Sequence, residues 1–314
     1  MPAGPPTAPI LKASAQDFTC DLDLSREEVA YLLDLATQVK AFPAPYADAL
    51  RGRSLSLLFE KPSLRTRLTF ELAMKQLGGD SILNNGIIGE REPLQDVARN
   101  LDRWTQGIVA RVFSQATVDG LARWSRVPVI NALSDLYHPC QALADMLTLR
   151  EHFGGLAGLN LTFVGDGNNV AHSLMLSAVR LGVNFTLATP PGYLASPDVV
   201  AQAAALAETS GAKLKLTTSP EEAVAGANAV YTDVWASMGT EHEADARRKA
   251  FRAYQVTETL FALAAPDAIF MHCLPAHRGE EVTDEVIESP QSAVFDQAEN
   301  RLHTQKALLL MLLD

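Results

Sequence analysis

The run Leu55-Ser56-Leu57-Leu58-Phe59 passes without a break into Glu60-Lys61-Pro62-Ser63-Leu64-Arg65-Thr66-Arg67, after which apolar residues recur at helical spacing. A short apolar strand feeding a helix is the building unit of a parallel α/β sheet. Leu68, Phe70, Leu72, Ala73, Met74 and Leu77 predict a helix of about three turns, which Gly78-Gly79 ends. Ser63 to Arg67 therefore fall at a helix N-terminus, where backbone N–H groups lack intrahelical partners and the peptide dipoles sum to roughly half a positive charge. Ser63 and Thr66 add hydroxyls there, and Lys61, Arg65 and Arg67 place three cations within seven residues. A solvated surface helix uses such residues singly. A strand that delivers all of them to one helix start makes a site for a small anion, and guanidinium forks match the paired oxygens of a phosphate.

The same alternation continues along the chain. Ser25-Arg26-Glu27-Glu28 has the form of a capping box and opens a helix through Val29, Leu32, Leu33 and Leu35. Asp80 to Leu83 leads into a polar stretch from Asn84 to Pro93, a loop near the anion site. Leu94 to Trp104 reads as an amphipathic helix, Gly107 to Phe113 and Pro128 to Leu133 as strands, and Pro139 onward as a helix with proline in its first turn. Beyond His152-Phe153-Gly154-Gly155 the pattern restarts: strand Leu159–Val164, helix Leu174–Leu181, strand Val183–Thr189, helix from about Ser196 to Ser210, strand Lys213–Thr217, a short helix, strand Ala229–Thr232 and last strand Ala268–Met271. The expected fold class is α/β, with two doubly wound parallel-sheet domains, ligands at the strand C-terminal ends, and the active site in the cleft between the domains. A length of 314 residues agrees with two cores.

Several residues at strand or helix ends exceed what a core needs. Arg111 puts a charge in an apolar strand, which costs several kcal/mol unless a carboxylate or a ligand pairs with it. His138 and Gln141, three apart, share one helix mouth, where an imidazole can donate to a carbonyl oxygen and an amide oxygen can accept from an –NH2 group. Gly165-x-Gly167-x-x-Val170 lacks the third glycine of a dinucleotide fingerprint, and Asn169 suits a zwitterion because its amide both donates and accepts. Asp233, followed by Ser237-Met238-Gly239, forms a turn able to grip an amine. Cys273, in His272-Cys273-Leu274-Pro275, lands at a strand end, where a thiol is less commonly inert. Arg301 is expected to start a terminal helix running to Leu313.

Composition excludes other classes. A net charge of −11 is unsuited to nucleic acid or an anionic membrane, and no run of about 18 apolar residues is present to span a bilayer. Cys20, Cys140 and Cys273 cannot build a disulfide framework and lack metal-ligand spacing. A reduced, cytoplasmic protein is expected, with no metal and no cofactor. Met1-Pro2-Ala3-Gly4-Pro5-Pro6 has neither the basic start nor the apolar stretch of a signal peptide and reads as a frayed tail.

Four of these segments together resemble the aspartate/ornithine carbamoyltransferase family over nearly the whole length. Ser63-Leu64-Arg65-Thr66-Arg67 is similar to its Ser-Thr-Arg-Thr-Arg carbamoyl phosphate signature, and His138-Pro139-Cys140-Gln141 to its second such motif. Asp233 with Ser237-Met238-Gly239, and His272-Cys273-Leu274-Pro275, resemble the two motifs of the ornithine branch. The resemblance implies transfer of the carbamoyl group of carbamoyl phosphate to the δ-amine of L-ornithine, giving citrulline and phosphate. Residues 1–148, completed by the C-terminal helix 297–314, would bind carbamoyl phosphate, and 149–296 ornithine. Ser63, Leu64 through its backbone N–H, Arg65, Thr66 and Arg111 would hold the phosphate. Arg111, Thr66 and His138 would polarise the carbonyl, Gln141 would hold the carbamoyl –NH2, and Arg301 would stabilise the carbamoyl oxygen. Asn169, Asp233, Ser237 and Met238 would fix the α-amino acid end, and Cys273 and Leu274 would line the approach of the δ-amine. Arg111, His138, Cys273 and Arg301 are thus the expected catalytic set, in a homotrimer.

Leu64 stands where the signature has threonine. The loop from Asn84 to Arg91 is shorter than the family's and has no glutamine to lend to a neighbouring subunit. A nicotinamide-dependent oxidoreductase, a sister carbamoyltransferase acting on putrescine, aspartate or an acylated ornithine, and an inactive binding paralogue are the competing readings. The broken glycine pattern opposes the first, Asp233 with Ser237-Met238-Gly239 the second, and Arg65, Arg111, His138 and Cys273 the third.

Overall fold

The computed structural model describes residues 9–236 and 243–314. Contacts divide the chain into two compact units, residues through Ala144 with Glu299–Asp314, and Asp145–Ala298.

The first unit carries α1 (Arg26–Ala41), β1 (Ser54–Phe59), α2 (Arg65–Gln76), β2 (Asp80–Asn85), α3 (Leu94–Trp104), β3 (Gly107–Arg111), α4 (Gln115–Trp124), β4 (Val129–Leu133) and the start of α5 (Pro139–Phe153). Its sheet is four-stranded and wholly parallel, in the order β2-β1-β3-β4. The inner strands β1 and β3 are buried almost throughout, whereas β2 at the edge is largely polar and part-exposed. Ser25 and Glu28 form the expected capping box: the Ser25 hydroxyl accepts from the Glu28 amide and the Glu28 carboxylate accepts from the Ser25 amide. The helix α4 was not legible as such, because only Val118 and Leu121 of its ten residues are buried. A Ser114 N-cap marks its start.

The second unit holds β5 (Asn160–Val164), α6 (Asn169–Arg180), β6 (Asn184–Ala188), α7 (Pro197–Ser210), β7 (Leu214–Thr217), α8 (Pro220–Val224), β8 (Ala229–Thr232), α9 (Ala244–Phe251), α10 (Glu258–Phe261), β9 (Ile269–His272), α11 (Asp284–Ile287) and the first turn of α12 (Val294–Leu313). Its sheet is five-stranded and parallel, in the order β7-β6-β5-β8-β9. Two helices begin earlier than the sequence pattern places them. The helix α6 starts at Asn169 rather than Leu174, because Asn168 caps it and every residue from Val170 to Arg180 is buried, leaving no polar face to mark a period. The helix α12 starts at Val294, so Arg301 is mid-helix rather than at its beginning. Its buried polar residues Gln297, Asn300, Arg301 and Thr304 obscure the apolar stripe.

Strand order sets where side chains converge. In each sheet the chain runs outward on one side and then crosses to the other, so the order reverses between β1 and β3 and between β5 and β8. Ligand crevices of open α/β sheets form at such reversals, beyond the strand C-termini. Phe59 pairs with Arg111, so the turn leading to α2 leaves the sheet beside Arg111. Thr232 pairs with His272, so Asp233 and Cys273, the next residue of each strand, emerge side by side. Among the described residues no helix is long and apolar enough to cross a membrane.

Candidate active site

At the reversal of the first sheet, α2 opens without a side-chain cap. Leu64 occupies the cap position and has no oxygen to offer, and Ser63 before it is half-buried. Leu64 therefore gives no side-chain cap to the first N–H groups of α2. Thr66, one residue into the helix, is buried, and its hydroxyl accepts from Arg301 Nη2 at 3.0 Å. Arg301 Nη1 donates to Gln141 Oε1 at 2.6 Å. One guanidinium from α12 thus ties α2 to the first turn of α5.

His138, just before α5, is buried with Arg301, Arg111 and Arg65 close enough to act on it. Burial foremost, and then those three charges, hold its pKa well below the ordinary histidine value. The imidazole is therefore neutral near pH 7. Arg65, Thr66, Arg111, His138, Gln141 and Arg301 form one positively charged cluster. Cys140, between His138 and Gln141, is buried, which pushes its thiol up to about 12, and its Sγ donates to the Asn131 carbonyl. It is a packing residue. The three cations of the signature segment separate: Arg67 turns out to Glu71 at 2.8 Å, while Lys61 lies under the Phe113 ring with Nζ 4.7 Å from its centre. The Leu64 side chain is exposed.

At the reversal of the second sheet, Asp233 is buried and doubly bonded. Its Oδ1 accepts from Cys273 Sγ at 3.0 Å and its Oδ2 from Asn168 Nδ2 at 2.9 Å. Asn168 uses its own carbonyl oxygen to cap α6, accepting from the Val170 and Ala171 amides at 3.0 and 3.1 Å. It joins the helix start rigidly to the carboxylate. Asn168 was not among the residues expected from the sequence, although an asparagine between a Gly-Asp-Gly turn and a helix is a cap signal. Asn169 is the first residue of α6, half-buried beside it. Ser237 and Met238 lie outside the described residues.

Behind Cys273 is a buried histidine–glutamate pair that the sequence did not reveal. His272 Nδ1 accepts from the Leu274 amide at 2.8 Å, which puts the ring proton on Nε2, and that proton goes to Glu281 Oε1 at 3.1 Å. Both side chains are fully buried. The His272 amide donates to Gln297 Oε1, whose –NH2 donates to Asp145. This framework holds the Cys273-Leu274 turn with Leu274 at φ 56° ahead of a cis proline. A left-handed leucine costs about 1–2 kcal/mol and persists where its surroundings over-determine it. Asp233, His272 and Cys273 offer ligand atoms within 4.8 Å of one another, but both His272 ring nitrogens already have partners.

The sequence matches two family models end to end. Residues 16–151 match the carbamoyl-P binding domain of aspartate/ornithine carbamoyltransferase, and residues 157–312 its Asp/Orn binding domain. An ornithine carbamoyltransferase of Thermosynechococcus vestitus is 54% identical over 304 residues, covering 95% of this chain and 96% of that one. One from Acidothermus cellulolyticus is 51% identical over 300 residues, covering 95% and 96%. The solved ornithine carbamoyltransferase of Pyrococcus furiosus superposes with a TM-score of 0.94 at 47% identity, covering 97% of this chain and 99% of that one. With two domain models spanning the folded chain and relatives near half-identity over its length, the chain belongs to the aspartate/ornithine carbamoyltransferase family.

Proposed function

We propose that this chain is an ornithine carbamoyltransferase, transferring the carbamoyl group of carbamoyl phosphate to the δ-amine of L-ornithine. The observation that carries the reading is Arg301 bridging Thr66 and Gln141 beside a neutral His138. That cluster offers cations for a phosphate, an N–H for a carbonyl oxygen and an amide for a carbamoyl –NH2. The names of relatives near half-identity point to the same reaction.

Carbamoyl phosphate would sit with its phosphate at the open start of α2, against Ser63, the Leu64 backbone, Arg65, Thr66 and Arg111. Its carbonyl oxygen would face His138 and Arg301, and its –NH2 would face Gln141. Ornithine would place its α-amino acid end against Asp233, Asn169, Ser237 and Met238, with Cys273 and Leu274 lining the path of the δ-amine. The neutral amine attacks the carbonyl carbon, a C–N bond forms, and negative charge gathers on the carbonyl oxygen. The C–O bond to phosphate then breaks, phosphate leaves with the electron pair, and the extra proton on the amine passes to the departing phosphate oxygen. Donors aimed at the developing oxyanion carry about 2.7–4 kcal/mol each. Holding amine and carbonyl in contact supplies up to about 7–11 kcal/mol more. A δ-amine with a pKa near that of lysine, roughly 10.4, must also be stripped of its proton. Cys273, hydrogen-bonded to Asp233, is the group beside it that can help.

A homotrimer is part of the same proposal. Leu64, Leu68 and Leu72 repeat every fourth residue along α2 and are 70%, 44% and 41% exposed, and Ile82 on the edge strand β2 is 60% exposed. Such an apolar stripe beside an unpaired strand edge suits burial against another copy. A cytoplasmic location and a place in arginine metabolism, in the biosynthetic or the catabolic direction, complete the reading.

The test is phosphate release and citrulline formation from carbamoyl phosphate with L-ornithine, alongside putrescine, N-acetylornithine and L-aspartate. Turnover with ornithine alone, lost in Arg111→Ala, is the expected outcome. Turnover with a different amine overturns the assignment of Asp233, and turnover with none overturns the enzyme reading.

A further inference from the structure

At the C-terminal edge of the first sheet three segments part company, and one carboxylate holds two of them to the third. The strand β1 lies between β2 and β3, and its ladders end where Phe59 pairs with Asn85 on one side and with Arg111 on the other. Just beyond, the backbone supplies two more bonds: the Gly86 amide donates to the Phe59 carbonyl at 3.1 Å, and the Glu60 amide to the Arg111 carbonyl at 2.9 Å. There the half-buried Glu60 side chain takes over. Its Oε1 accepts from the Ile88 amide at 2.9 Å and its Oε2 from the Phe113 amide at 2.8 Å. Phe113 stands two residues past Arg111, and the register of β3 with β4 shifts between Ala110 and Arg111. Such an irregularity re-aims the side chain it carries, so the aim of Arg111 depends on what fixes the backbone after it. Those fixings are the Val112 amide on the Leu133 carbonyl at 2.9 Å and the Phe113 amide on Glu60. On the other arm Ile88 packs against the buried cluster of Leu58, Ala110 and Val118, so one apolar residue and one carboxylate anchor the loop after β2.

We propose that Glu60 is a positioning residue for the carbamoyl phosphate half of the site, fixing the backbone after Arg111 and the loop 86–92 against the end of β1. The inference rests on the reading of the Arg65, Thr66 and Arg111 cluster as the phosphate site. A glutamate is required because an ionised carboxylate offers two acceptor oxygens on one planar group. Glutamine turns an –NH2 toward one of the two amides, and aspartate is one methylene short. The charge of Glu60 works against the ligand, since it stands three residues before Ser63 and repels an anion held there. Its electrostatic and its positional effects on phosphate affinity therefore have opposite signs, and substitution separates them.

The experiment compares intact wild-type enzyme with Glu60→Ala, Glu60→Gln and Glu60→Asp, titrating inorganic phosphate by calorimetry and each substrate with the other saturating. Glu60→Gln is expected to weaken phosphate binding and to raise KM for carbamoyl phosphate at least fivefold, with KM for ornithine within twofold of wild type. Glu60→Ala loses more, and Glu60→Asp, which keeps the charge, does not recover wild-type affinity. Were charge the whole effect, Glu60→Gln would bind phosphate more tightly. Tighter or unchanged phosphate binding in Glu60→Gln overturns the proposal, as do both KM values rising together or a lower kcat with both KM values unaltered. Amide exchange at Ile88 and Phe113 reads the hold with no ligand present: one of the two amides exchanges faster in Glu60→Gln and both do in Glu60→Ala, and unchanged exchange overturns the proposal. Should Glu60→Ala not fold, Glu60→Gln carries the same comparison. Wild-type enzyme that binds no phosphate defeats the reading of the phosphate site instead, and leaves the exchange measurement to decide the hold.

Discussion

Arg301 Nη2 donates to the Thr66 hydroxyl at 3.0 Å across 235 positions of sequence, and its Nη1 holds Gln141 at 2.6 Å. A planar fork can satisfy both acceptors at once, whereas an ammonium is a single compact donor centre. Arg301→Lys is therefore expected to behave much like Arg301→Ala. Both should lower kcat by about 10²- to 10³-fold, or about 2.7–4 kcal/mol, the usual loss of one donor to a developing oxyanion. Steady-state kinetics with both substrates saturating checks it, and a Lys variant within threefold of wild type would remove Arg301 from the chemistry.

His138 links stability to pH. Its folded pKa lies well below 6.5, so between those two values the unfolded chain binds one more proton than the folded one. The contribution is fully present above about pH 6.5 and is lost as pH falls through the interval toward the folded value. Wild-type protein is expected to lose more melting temperature between pH 7 and pH 5 than His138→Asn. Equal losses in the two proteins would mean that His138 titrates normally when folded.

Cys273 is bonded to Asp233 at 3.0 Å, and a serine hydroxyl can make the same donation. Cys273→Ser should therefore keep an ornithine KM nearer wild type than Cys273→Ala does, while both lose kcat if the thiol assists deprotonation of the amine. The pH profile of kcat separates the roles: a Cys273→Ala enzyme with the wild-type profile would limit the thiol to holding Asp233.

Gly167 is confined by backbone, since a Cβ there would come within 2.2 Å of the Ala195 nitrogen and 2.5 Å of the Leu194 carbonyl carbon. Backbone cannot swing aside as a flexible side chain does. Gly167→Ala should cost about 1–3 kcal/mol, the range for overpacking. Denaturant unfolding gives the number, and a loss below about 0.5 kcal/mol would show that the turn gives way.

Leu68 and Leu72 share one exposed stripe of α2 with Leu64. In the proposed trimer this stripe is the contact between copies, so Leu68→Glu is expected to turn the assembly into monomers. Sedimentation velocity of wild type and variant decides it. A wild-type monomer would end the trimer proposal.

Much of the candidate site was legible because strand ends and helix starts are local events. Ser63 to Thr66 follow an apolar run, His138-Pro139 opens a helix and Cys273 follows a strand, so each could be assigned to a sheet edge from neighbours a few residues away. The missed features have a common physical cause. The fully buried α6 and the polar-cored α12 lack the two-faced period that betrays a helix. Leu68 and Leu72 were legible as helical residues, but not as outward-facing ones, because amphipathic spacing does not say what covers the apolar side.

What this sequence determined alone is the α/β alternation, the four motifs and the chemistry they favour, since these depend on residue type and on spacing within one or two elements. The tertiary structure alone decided that Phe59 pairs with Arg111 and Thr232 with His272. It also decided that Arg301 reaches Thr66, that Asn168 holds Asp233, and that Glu60 joins two neighbouring segments. Those relations join residues tens to hundreds of positions apart. They follow from strand order and from burial, where polar groups removed from water must find partners among whatever the fold brings within about 3 Å.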